Sequence, residues 1–174
     1  MGTLKLLILF VYLGFIAICT AQEEQVIAWS PELKLSWSDF QGKPTNEESA
    51  ATTASGITYR FSTTTWGDEV ELDFIVTTHF YPEKSWYRPK LCDAVILNHE
   101  QLHFDIAEVF SRKMRKRLSA TKFTKNVKAE VAKIYEEINM ALYAFQNRYD
   151  NETNFSRNRE KQLLWNKKIS ALLK

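Results

Sequence analysis

The chain has 174 residues with a formal net charge of +2; 25% of them are charged, 13% are aromatic, and it contains only 5 glycines and 4 prolines. That length suits one domain around a single core, and the composition is that of an ordinary globular protein. The near-neutral balance excludes the broad basic surface that nucleic-acid binding needs, and the one dense basic run, Arg112 to Arg117, reads as a solvated helix end.

Residues 1–21 carry a lysine near the start, an apolar run from Leu6 to Ile18, and Cys19-Thr20-Ala21 before an acidic stretch. This is the pattern of a secretory signal peptide, and the apolar run of about 13 residues is short of the roughly 20 that span a bilayer. The expectation is an exported protein, secreted or periplasmic, with a mature domain over 22–174 and no spanning segment after cleavage. A lipid anchor on Cys19 is disfavoured by the bulky Ile18 before it. Cleavage removes one lysine and no acid, taking the formal charge to +1, and leaves Cys92 as the single cysteine. An intramolecular disulfide is then impossible, so the domain must rely on its core or on a metal. Cys92 itself reads as a structural thiol on the approach to an apolar run.

From Val26 to about Tyr87 the pattern is short and extended. Strands are predicted at Val26 to Trp29, Leu33 to Trp37, Gly56 to Phe61 and Val70 to Val76, most of them alternating apolar with polar residues and rich in aromatic and β-branched ones. Trp66-Gly67-Asp68-Glu69 marks a hairpin turn between the last two, and residues 42–49 form an exposed loop. From about Asp93 the period becomes helical. Val95, Leu102, Ile106, Val109, Phe110 and Met114 predict a helix of roughly 25 residues ending near Leu118. A second helix is marked by Val131, Ile134, Ile138, Leu142 and Phe145, and a third runs from about Asn158 to Leu173. The fold class is α+β, a small, mostly antiparallel sheet followed by a helical half.

The first helix contains His99-Glu100-Gln101-Leu102-His103. Residues four apart share one helix face, so both imidazoles can serve one ion. Glu100 can reach a water in the open position without ligating the metal. This H-E-x-x-H arrangement is that of zinc metalloproteases, with His99 and His103 as ligands and Glu100 as general base. The chain has only three histidines and two of them occupy the motif. The third, His79, reads as the polar end of a strand.

A third ligand is harder to find. Ile106 and Val109 exclude the metzincin extension, and Glu108 is turned away from the histidine face. Glu136 and Glu137 have a suitable sequence separation. An antiparallel hairpin turning near Lys122 to Thr124, however, places residue 145 or 146 opposite Gln101 and leaves Glu136 roughly 13 Å along the helix. Asp150 and Glu152 are the better candidates.

Leu35-Ser36-Trp37-Ser38-Asp39-Phe40-Gln41-Gly42, Ala50 to Ile57, Leu97 to Glu108 and Tyr149-Asp150 with Thr153 together resemble a bacterial family of domains of unknown function described as predicted secreted zinc-dependent proteases. The resemblance spans nearly all of the mature chain and implies a zincin-like domain acting on a peptide or protein substrate with Zn2+. It also implies a His-Gly pair where this chain has Phe155-Ser156. If that histidine is the family's third ligand, Asp150 or Glu152 must substitute, or metal binding is weakened. Two functions are therefore expected: an exported zinc metallopeptidase, or a noncatalytic envelope binding protein that keeps the motif helix.

Overall fold

A computed structural model describes residues 24–174; the expected signal peptide lies outside the described residues. The chain runs β1 (Ile27–Ala28), β2 (Ala51–Thr52), β3 (Ser55–Trp66), β4 (Glu69–Phe80), β5 (Trp86–Tyr87), α1 (Ala94–Ala120), α2 (Val127–Thr153) and α3 (Arg159–Leu172), with short 3-10 turns at Trp37–Asp39 and Pro82–Lys84. It is an α+β fold, a small antiparallel sheet followed by three helices. No helix among the described residues is long and apolar enough to cross a membrane.

The hairpin of β3 and β4 pairs from Ser55 with Phe80 to Trp66 with Glu69. Gly67 turns it at φ +61, the glycine position of a type II′ turn. Alternation directs Ile57, Tyr59, Phe61, Leu72, Phe74 and Val76 toward α1, while Ile75 faces solvent. β1 extends this sheet by pairing with the end of β4, and β2 pairs with β5 in a separate two-stranded ladder.

The predicted strand at Leu33 to Trp37 is not formed. The Leu35 amide donates to the Gln101 side chain of α1 at 2.7 Å instead of to a neighbouring strand. Asp39 then accepts from the Ser36 amide at 2.7 Å and curls the chain into the 3-10 turn. The alternating apolar residues there do face inward: Leu33, Leu35 and Trp37 pack with Phe40, Phe80 and Phe104 in a small core on one side of α1.

α1 is the central element. Asp93 caps it, accepting from the amides of Val95 and Ile96. The main core lies between α1, the hairpin, α2 and α3. Because α1 is covered on several faces, several of its polar residues are buried, and Asp105 and Glu108 are among those held by partners. Asp105 accepts from Trp29 and Gln101. Glu108 accepts from Thr78, Arg112 and Arg115. These bonds pin the N-terminal segment and the sheet to the helix.

α1 and α2 are antiparallel, as expected, but the register differs from the expected one by about two residues. Gln146 donates to the carbonyl of His103, and Tyr149 to that of His99. The large Tyr149 ring, fully buried between the histidines and Trp165, sets this offset.

The turn after α2 is strained. Asn154, Phe155 and Ser156 have φ of 48, 51 and 72, a conformation asparagine tolerates but which costs other residues about 1–2 kcal/mol each. Ser156→Gly is expected to raise the unfolding free energy by about 0.5–1 kcal/mol after the entropy of a more flexible unfolded chain is deducted. Urea denaturation checks this, and a loss of stability would show that the Ser156 side chain matters more than its backbone.

Candidate metal centre

His99 and His103 project from consecutive turns of α1, and Asp150 projects toward them from the last turn of α2. Asp150 Oδ1 is 3.1 Å from His99 Nε2 and 2.9 Å from His103 Nε2, and the two nitrogens are 3.3 Å apart. Three donor atoms thus converge on one point. Tetrahedral zinc with bonds of about 2.0–2.2 Å separates its ligand atoms by roughly 3.3–3.6 Å, so this set fits one ion after shifts of about half an ångström. Two imidazoles and a carboxylate are also a donor set that zinc accepts.

Burial grades outward across the cluster, from 5% side-chain exposure at His99 through 13% at His103 to 22% at Asp150. The site therefore opens on the side of His103 and Asp150. Tyr149 stacks on His99 with ring centres 4.5 Å apart and meets His103 edge-on at 5.0 Å. Burial pushes its phenol well above the usual value, so it stays a neutral donor.

The electrostatics follow from the same contacts. Burial works to raise the Asp150 carboxyl, but hydrogen bonds from His103 and His99 and their charges override it and lower its pKa to about 2. For His103, burial disfavours the charged ring, yet the Asp150 hydrogen bond and the charges of Glu100 and Asp150 raise its pKa overall. Glu100 is buried beside the pair, and no group among the described residues hydrogen-bonds its carboxylate. It is a base whose lone pairs remain uncommitted.

The other residues singled out in the sequence lie elsewhere. Glu152 is not in the cluster: Arg148 Nε donates to one carboxylate oxygen at 2.6 Å and Trp165 Nε1 to the other at 2.8 Å. Two residues apart on a helix means about 200° of rotation, so Asp150 and Glu152 cannot both face α1. Glu137 pairs with Arg117, and Glu136 is exposed about 20 Å along α2 from Tyr149. His79 lies on β4 against Thr58, its pKa lowered by burial. The Cys92 thiol donates to the Ala50 carbonyl and burial raises its pKa, as for a structural cysteine. Phe155 is 56% exposed on the strained turn and offers no donor. Ser156, where the resemblance implies glycine, keeps a backbone that glycine favours.

Gln162 of α3 was not foreseen. Its Oε1 lies 3.0 Å from His99 Nδ1, on the far side of the ring from Asp150. The sequence signal was a polar residue on the inward stripe of an otherwise amphipathic helix, beside Trp165 and Ile169. A cavity of about 610 Å³, lined by Trp66, Val70, Leu72, Phe74, Leu118 and Phe123 among others, lies at the opposite end of α1, about 28 Å from His99.

A family model described as "Bacterial protein of unknown function (DUF922)" matches residues 34–157, more than two thirds of the chain. The chain therefore belongs to that family. The match includes His99, Glu100, His103 and Asp150 and stops before α3. No curated protein and no solved structure is significantly similar to the chain.

Proposed function

We propose that this member of the family is an exported, zincin-like zinc metallopeptidase. The observation that carries the reading is the convergence of His99 Nε2, His103 Nε2 and Asp150 Oδ1, beside a buried and uncommitted Glu100. The two histidines and Asp150 hold the ion. When bound, zinc supplies Lewis acidity that brings the pKa of water to about 7 and polarises a carbonyl. Glu100 handles the proton, accepting it from the attacking water and releasing it to the leaving amine of a peptide substrate. Asp150 keeps its negative charge across the working pH range, so it offsets the charge of the ion at all times.

A second reading is a noncatalytic envelope protein that keeps the metal and binds a partner. The remote cavity near Phe123 favours it, since this concavity lies at the opposite end of α1 from the histidines.

The test is zinc content against pH. Both imidazoles must lose protons to bind, so protons and zinc compete. Mature protein at pH 7.5 is expected to hold about one zinc per chain and to release it by pH 5 or on chelation. The signs for the metal-free protein run the other way. His103 has a raised pKa, so its pairing with Asp150 stabilises below pH 6.5 and is lost as the pH rises through the folded value. Asp150 contributes above about pH 3.8 and loses that contribution as the pH falls toward 2. The gain in Tm on adding zinc therefore grows from about pH 5.5 to 8. A zinc-independent Tm at pH 8, together with no zinc by elemental analysis, would end the metal reading.

A further inference from the structure

We infer that Gln162, on α3 and outside the matched family segment, is a positioning residue that holds His99 in its metal-binding tautomer. This rests on the metal reading above. Gln162 is 3% exposed, and its buried amide meets polar atoms of His99, Tyr149 and Asn166. Asn158 caps α3 by accepting from the Lys161 amide at 3.1 Å, and this places Gln162 on the first turn, facing inward.

Proton accounting gives the side chain its role. The Gln162 Nε2 group donates to Tyr149 Oη at 2.7 Å and to Asn166 Oδ1 at 2.9 Å, which uses both of its hydrogens. Asn166 in turn donates to Asn98 Oδ1 at 2.7 Å, tying α3 to the residue just before His99. Gln162 Oε1 then faces His99 Nδ1 at 3.0 Å and lies 2.9 Å from Tyr149 Oη, whose single hydrogen is shared between this oxygen and the His99 carbonyl. An amide oxygen carries no proton, so the hydrogen in that contact belongs to Nδ1. In the neutral ring, the form that binds a metal, Nε2 is then the lone-pair nitrogen, and it is the atom that meets Asp150 and His103; without an ion a proton on Nε2 makes the bond to Asp150. A lone pair aimed at a carboxylate oxygen calls for a proton or a cation between them.

Tyr149 completes the arrangement. Its ring stacks on His99 at an interplanar angle of 21° and limits rotation of the imidazole, while Gln162 sets which nitrogen is protonated. A metal-bound histidine needs both constraints, and removing the hydrogen-bond partner of such a ring typically costs roughly 10- to 100-fold in metal affinity.

The experiment uses the mature chain with Gln162→Met, which keeps the volume but removes the acceptor, and Gln162→Glu, which keeps an acceptor oxygen. Zinc affinity is measured by competition with a chromophoric chelator, and the ring nitrogens of His99 are read by 15N NMR in zinc-free protein. Gln162→Met is expected to weaken zinc by roughly 10- to 100-fold, with Gln162→Glu within about threefold of the parent chain. The parent chain should show His99 protonated at Nδ1. Parental affinity in Gln162→Met, or equal weakening in both variants, would overturn the role of the acceptor. If Gln162→Met does not fold, Gln162→Glu and the tautomer of the parent chain still decide: an unprotonated Nδ1 in the parent chain refutes the inference even where zinc binds. A parent chain that shows the Nδ1–H tautomer but takes up no zinc sinks the metal reading instead.

Discussion

Asp150→Ala will strip the protein of stoichiometric zinc, and His99→Ala and His103→Ala will do the same, whereas Glu152→Ala will leave zinc binding close to that of the parent chain. The contrast between two acids two residues apart is the sharp part of this expectation. Asp150 meets both imidazoles within 3.1 Å, while Glu152 is held by Arg148 and Trp165 on another face of α2. Zinc sites with four ligands contribute roughly 10–16 kcal/mol, so one donor carries about 3 kcal/mol, or more than about 100-fold in affinity. Elemental analysis after dialysis gives the occupancy, and chelator competition gives the fold-change. Zinc retained at full affinity in Asp150→Ala would remove Asp150 from the site, and a loss in Glu152→Ala would mean that α2 is rotated relative to its placement here.

Glu100→Gln is expected to keep zinc and to lose hydrolysis by about 10²- to 10⁴-fold, the range that a general base contributes. The substitution is nearly isosteric, and the carboxylate has no hydrogen-bond partner among the described residues, so neither fold nor metal affinity should suffer. An amide cannot accept the proton of the attacking water. Fluorescently labelled casein is a suitable probe while the natural substrate is unidentified. Undiminished cleavage by Glu100→Gln would rule out Glu100 as the base. A parent chain that binds zinc tightly and cleaves nothing would favour the noncatalytic reading.

Local patterning made a good part of this molecule readable in advance. The switch from alternating to helical periodicity near Asp93 is a property of neighbouring residues, and it locates the hairpin, the three helices and hence the α+β class. The pairing of His99 with His103 is equally local, because one helical turn brings residues four apart together whatever surrounds them. Even the choice of Asp150 and Glu152 over Glu136 followed from helix rise and a short connection. Long-range contacts settled the remainder. Leu33 to Trp37 has the alternation of a strand, but the Gln101 side chain takes the Leu35 amide and no neighbouring strand is available. Asp150 and Glu152 are equivalent in a linear reading, and the packing of Tyr149 against His99 rotates one of them toward α1 and the other away. Gln162 lies 63 residues from His99, with no spacing rule to connect them. Its function arises because α3 folds back over the end of α2, and a buried amide must then find partners for its oxygen and both of its hydrogens.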